Sequence, residues 1–254
     1  MLTLVCWTYS RRTRQNYPTP KMKPIIKLKI LDWWRGEKFE ENYFVQKLSE
    51  KYHIVESQDP DYVLYSVFGY EHAKYDCIRI FFTGENICPD FNICDYGIGF
   101  NHLHFEDRYI RYPLFLLYEK DLQRAINKHH FTDKILKDKN KFCNYIYSHS
   151  NSSRLREEFF DFLSLYKQVD SAGSYRNNIG GALPILKGDF SSSKYEFMKH
   201  YKFSIAFENS STSGYITEKI LQAFGAQTIP IYWGDTTISQ WGGGHKQKSL
   251  HQCP

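Results

Sequence analysis

At 254 residues the chain has room for one large domain or two small ones, and 42% hydrophobic with 17% aromatic residues is enough to build a proper core. The formal charge of +5 is local: residues 1–31 carry Arg11, Arg12, Arg14, Lys21, Lys23, Lys27 and Lys29 without an acid, which leaves 26 basic against 28 acidic residues elsewhere. A global basic surface for nucleic acid is therefore not indicated, and no repeat or low-complexity block is present. The opening run MLTLVCW is too short to span a bilayer, and its basic residues follow the apolar stretch instead of preceding it. No signal peptide or membrane anchor is expected. Residues 1–23 read as a disordered basic extension, with peripheral contact to anionic lipid left open.

Organised structure is expected from Pro24. Ile25 to Leu31 reads as a first strand, and residues 38–52 as a helix with Phe39, Tyr43, Phe44, Leu48 and Tyr52 near helical spacing. Tyr62 to Phe68 and Ile78 to Phe82 read as apolar strands. Strands alternating with helical segments imply a parallel sheet. The strand 78–82 ends in Thr83-Gly84-Glu85-Asn86, which puts a carboxylate at the lip of the sheet, where ligands dock. A turn glutamate capping nearby amides is the other reading of Glu85. Asp59-Pro60-Asp61 precedes a strand and reads as a turn, and the histidines of His102-Leu103-His104 and His129-His130 read as loop residues. Six cysteines show neither a CxxC pair nor zinc spacing.

Residues 127–141 hold five lysines and few large apolar groups, and mark a domain boundary. Phe142 to Tyr147 begins a second sheet. Asn151-Ser152-Ser153 can cap a helix whose buried face would be Leu155, Phe159, Phe162, Leu163 and Tyr166. Tyr201 to Asp235 then reads as strand, loop, helix and strand. Phe203, Ile205 and Phe207 alternate, and Ser210 to Gly214 breaks the strand. Ile216, Ile220, Ala223 and Phe224 share one helical face, with Tyr215, Glu218, Lys219 and Gln222 on the opposite one. The strand 228–233 follows and is expected inside the sheet. Such a unit binds ligands at the helix N-terminus. A lysine there opposes the helix macrodipole unless an anion is bound, so Lys219 is either an anion ligand or a solvated partner of Glu218.

FENS, a short loop, GYITEK and TIPIYWG, in that order, resemble the donor-binding signature of the α-1,3/α-1,4-fucosyltransferases, above all the bacterial ones. TGEN, Asp95-Tyr96 and Arg108-Tyr109-Ile110-Arg111-Tyr112-Pro113 resemble the same family's acceptor half, and Val169 to Asn178 its donor loop. The resemblance implies an α/β fold of the GT-B type: two Rossmann-type domains with parallel sheets, an acceptor-binding domain over 24–135 and a donor-binding domain over 136–240. It implies inverting transfer of fucose from GDP-fucose to a hydroxyl of an N-acetyllactosamine-type acceptor oligosaccharide. On that match Glu85 is the catalytic base. Arg176 and Lys219 clamp the pyrophosphate, Asn209 and Tyr215 donate to phosphate or sugar oxygens, and Glu218 accepts from ribose or fucose hydroxyls. No metal or other cofactor is required, because basic side chains neutralise the leaving group. A cytoplasmic enzyme, at most peripheral to the membrane, is the matching expectation.

The resemblance runs from about residue 24 to Asp235. The stretch 241–254 has no apolar periodicity, so the donor domain is expected to be incomplete. The rival reading is a truncated, non-catalytic remnant that binds GDP or glycan at most.

Overall fold

The computed structural model describes residues 22–127, 133–150, 153–181, 183 and 190–238. The basic extension up to residue 21, His129-His130, Asn151-Ser152 of the expected cap and the tail 241–254 lie outside the described residues. The first sheet is formed by β1 (Ile25–Leu31), β2 (His53–Glu56), β3 (Tyr62–Tyr65), β4 (Ile78–Phe82), β5 (Tyr96–Gly99) and β6 (Tyr109–Arg111). Every pairing is parallel, in the order β2-β1-β3-β4-β5-β6. The central strands bury both faces, as parallel sheets require. Leu28, Leu64 and Phe82 pack on one side with Val45, while Val63, Tyr65 and Phe81 pack on the other with Cys94.

The helix expected over 38–52 is divided. A 3-10 turn at Phe39–Glu41 precedes α1 (Tyr43–Ser49), because Asn42 takes extended backbone and its side chain accepts from the amides of Phe44 and Val45. Capping chemistry here outweighs the apolar spacing. Leu48, expected on the buried face, is exposed. The third strand stops at Tyr65, three residues early, where Asp32 turns the chain by accepting from the amides of Glu71 and His72.

α2 (Glu119–Ile126) and α3 (Asp133–Asp138) lead into the second sheet. It comprises β7 (Lys141–Tyr145), β8 (Val169–Ser171), β9 (Tyr201–Phe207) and β10 (Ile229–Trp233), all parallel, in the order β10-β9-β7-β8. Among the described residues β10 pairs only with β9 and forms an edge, not the interior strand expected. α4 (Arg154–Tyr166), α5 (Phe190–Met198) and α6 (Glu218–Gly225) cover the sheet. Phe162 and Tyr166 of α4 face outward at 72% and 79% exposure. The stripe that meets the sheet contains Leu155, Phe159, Phe160 and Leu163. The expected polar face of α6 is also not a solvent face. α2 lies across it, and Gln222 Nε2 donates to the buried Asp121 Oδ2 at 2.9 Å, while Phe224 is exposed. No helix among the described residues is long and apolar enough to cross a membrane.

Candidate active site

The carboxyl ends of β4 and β9 meet. Asn86, in the turn after β4, donates through Nδ2 to Ser210 Oγ at 2.6 Å and to Thr212 Oγ1 at 2.7 Å. The buried Tyr215 hydroxyl donates to the Gly84 carbonyl at 3.3 Å. Gly214 extends this seam at φ +85°: a Cβ there would lie 2.6 Å from the carbonyl oxygen of Phe100, just after β5, so only glycine lets the loop after β9 approach the first sheet there. The two segments singled out in the sequence, TGEN and FENSSTSGY, are thus stitched together by their small polar residues.

A cleft opens beside the seam as two adjoining chambers of about 390 and 600 Å³ that share Trp34, Glu85, Asn209, Glu218 and Lys219 in their walls. These volumes suit a small ligand with a substituent. The smaller chamber is walled by Trp33, Trp34, Tyr43, Leu117 and Tyr118, apolar faces on which sugar rings can stack. Glu85 is half-buried there, and its amide donates to Thr83 Oγ1 at 3.0 Å, which fixes the turn that presents it. Asp59 and Asp61 lie away from the cleft, on the turn beside Lys27.

Cations line the larger chamber. Lys219 sits in the first turn of α6, where Nζ donates to Thr217 Oγ1 at 2.8 Å and to Glu208 Oε2 at 3.2 Å, with Glu218 at 3.9 Å. Burial alone would strip its proton, but Glu208 and then Glu218 overcome this and hold the ammonium well above the ordinary lysine range. Burial likewise opposes ionisation of Glu218, but Lys219 and Lys194 hold its carboxyl down at about 2. Lys194 of α5 is lowered by burial, with Glu218 at 3.7 Å partly restoring it.

The third cation, Arg156, is a residue the sequence reading missed. It is 2% exposed and follows the N-cap Ser153 by three residues, inside the first turn of α4. Its guanidinium lies 4.0 Å from the centre of the Tyr147 ring, and Nη2 donates to the Glu208 carbonyl at 3.0 Å and to Asn209 Oδ1 at 2.6 Å. Nε is buried without a hydrogen-bond partner among the described residues. Two helix N-termini, α4 and α6, therefore each bring a cation to one chamber, Arg156 buried and Lys219 partly buried, a geometry that favours a polyanion. Arg176 stands elsewhere. At φ +55° it pairs with Asp161 on the outer side of α4, above the Phe160 ring, and lines neither chamber. The sequence reading paired Arg176 with Lys219; here the loop after β8 turns Arg176 back onto α4, and Arg156 is the arginine that lines the larger chamber with Lys219. Asn209 lines both chambers and Tyr215 the smaller one, but the Tyr215 hydroxyl is committed to Gly84 and Asn209 Oδ1 to Arg156.

Two parallel-sheet halves whose strand ends share one cleft, with a carboxylate from one half and cations from the other, make up the GT-B architecture of glycosyltransferases. The family model of the alpha-(1,3)-fucosyltransferase FucT N-terminal domain matches residues 28–118, and that of the glycosyltransferase family 10 (fucosyltransferase) C-terminal part matches 136–241. A crystal structure of an alpha1,3-fucosyltransferase with GDP-fucose superposes with a TM-score of 0.68 at 30% identity, covering 87% of this chain and 72% of that one. A second alpha1,3-fucosyltransferase crystal structure gives a TM-score of 0.71 at 28% identity, with 92% and 74% covered. Alpha-(1,3)-fucosyltransferase FucT of Helicobacter pylori is 32% identical over 266 residues, 87% of this chain and 52% of its own length. Alpha-(1,3)-fucosyltransferase B of Drosophila melanogaster is 30% identical over 159 residues, 57% of this chain and 35% of its own length. The chain belongs to the α1,3-fucosyltransferase family, and it spans about half or less of the length of these curated relatives.

Proposed function

We propose that the chain transfers fucose from GDP-fucose to a hydroxyl of an N-acetyllactosamine-type glycan, in α-1,3 or α-1,4 linkage and with inversion at the anomeric carbon. The observation that carries this reading is one cleft that holds Glu85 in one wall and Arg156, Lys194 and Lys219 in another. The diphosphate lies along the N-termini of α4 and α6, with fucose toward Glu85. The acceptor stacks on Trp33, Trp34 and Tyr118. Glu85 takes the proton of the attacking hydroxyl as its oxygen bonds to the anomeric carbon. The bond from that carbon to the β-phosphate oxygen breaks on the opposite face, and GDP leaves with the electron pair. Charge grows on the diphosphate as this happens, so the bonds from Arg156 and Lys219 strengthen toward the transition state. Three cations supply the neutralisation that a divalent metal gives in other transferases, and transfer should survive a chelator.

The test is the release of GDP. It should require donor and acceptor together, and the fucosylated product should carry fucose in the α configuration. Binding of GDP with thermal protection but without turnover would instead make the chain a nucleotide binder and refute the transferase reading.

A further inference from the structure

Glu208 ends the strand run of β9 and is 0% exposed. It lines neither chamber, yet one residue touches both clamp cations. Oε1 accepts from the Thr217 amide at 2.8 Å, and Oε2 from the Thr217 hydroxyl at 2.6 Å and from Lys219 Nζ at 3.2 Å. Its carbonyl accepts from Arg156 Nη2 at 3.0 Å, and its amide donates to the Trp233 carbonyl at 2.8 Å. Space for the side chain exists only because residue 234 is glycine: a Cβ there would lie 2.5 Å from Glu208 Cγ. A buried carboxylate is retained where it is paired, and this one is paired with the cation at the mouth of α6.

We infer that Glu208 is the positioning residue of the donor clamp: a fixed counter-charge, behind the cleft, that keeps Lys219 protonated and aimed at the diphosphate. This rests on the reading that the cleft takes a nucleoside diphosphate. Two hydrogen bonds from Thr217 tether the carboxylate, so Glu208 cannot follow Lys219 toward the ligand. Lys219 is faced by Glu208 just after β9, Glu218 of α6 and Tyr215 before it, Lys194 of α5, Arg156 of α4, Tyr147 beyond β7, Tyr232 of β10, and Tyr118 and Glu85 of the first half. Two of these, Lys194 and Arg156, are themselves cationic. Without Glu208 only Glu218 would remain as a close counter-charge, and burial would then release the ammonium proton at lower pH.

The experiment is calorimetry of GDP binding from pH 7 to 9.5 for the parent, Glu208→Gln, Lys219→Met and the double variant. Taking the ratio of variant to parent affinity removes the titration of GDP itself. For Glu208→Gln the ratio should fall with pH, approaching tenfold per unit once Lys219 deprotonates. In the Lys219→Met background, Glu208→Gln should change affinity less than twofold at any pH. A carboxylate that merely supports the fold would lower affinity equally in both backgrounds, with no pH dependence. A flat ratio in a folded Glu208→Gln protein overturns this inference alone, whereas a parent that binds no GDP overturns the functional reading with it. If Glu208→Gln does not fold, Thr217→Val, which removes the hydroxyl bridging Glu208 and Lys219, should give the same pH trend at smaller amplitude; a flat ratio there also refutes it.

Discussion

Replacing Arg156 by lysine separates charge from geometry at the donor site. The guanidinium bonds the Glu208 carbonyl and Asn209 Oδ1 with one nitrogen and lines the larger chamber. A lysine ammonium keeps the charge but cannot span both acceptors and a phosphate oxygen. One charge-assisted hydrogen bond lost to the diphosphate is worth roughly 1.5–3 kcal/mol, or about 10- to 150-fold in GDP affinity. Turnover at saturating donor should fall as well, because the bond strengthens as the leaving group gains charge. The substitution also leaves buried acceptors short of a partner and forfeits the Tyr147 stack, so a lower melting temperature is expected, by roughly 2–4 °C for each kcal/mol lost. Calorimetry with GDP, turnover at saturating GDP-fucose and a thermal melt are run beside Arg176→Ala, which should bind GDP like the parent. If Arg176→Ala weakens binding and Arg156→Lys does not, the assignment of the clamp is wrong.

Glu85→Gln should lower transfer by roughly 10²–10⁴ while GDP affinity stays within a few-fold, since a general base acts on the acceptor side; turnover near the parent rate would remove Glu85 from the chemistry. Glu218 has its folded carboxyl depressed to about 2 from an ordinary 4.5, so its stabilisation is present above about pH 4.5 and is lost as pH falls toward 2. Thermal melts between pH 6 and 3 should therefore converge for parent and Glu218→Gln as acid is added, and a constant gap would contradict the ion cluster. Lys139 is buried and donates to the carbonyls of Lys199, Tyr201 and Ala226 at 3.0–3.2 Å. Lys139→Met should cost at least about 1–3 kcal/mol in urea denaturation by leaving those carbonyls unpaired; an unchanged midpoint would refute that role.

The β9–α6–β10 unit was legible because alternation, a small-residue turn and a helical stripe follow one another there without interruption. The position of Glu85 and Lys219 at the cleft was legible for a related reason: each stands at the carboxyl edge of a strand or at the helix after it. Arg156 was not, because its neighbours Leu155, Phe159 and Phe162 suggested a purely apolar buried face on α4. The macrodipole argument used for Lys219 applies equally to a cation three residues past Ser153 and would have found it. Phe162 and Tyr166 show the opposite error, since spacing alone does not say which of two apolar stripes meets the sheet. Asn42 interrupted a helix that its apolar neighbours suggested, and Gln222 looked like a surface residue until α2 closed over it. Both depend on partners distant in sequence or on local capping that periodicity ignores.

The most direct measurement is a crystal structure with GDP bound. The diphosphate is predicted between the N-termini of α4 and α6, with phosphate oxygens about 2.7–3.2 Å from Arg156 and from Lys219 Nζ, and with Glu85 facing the open position of the sugar. A diphosphate held by Arg176, or bound away from the chamber shared by Arg156 and Lys219, would contradict the proposed active site.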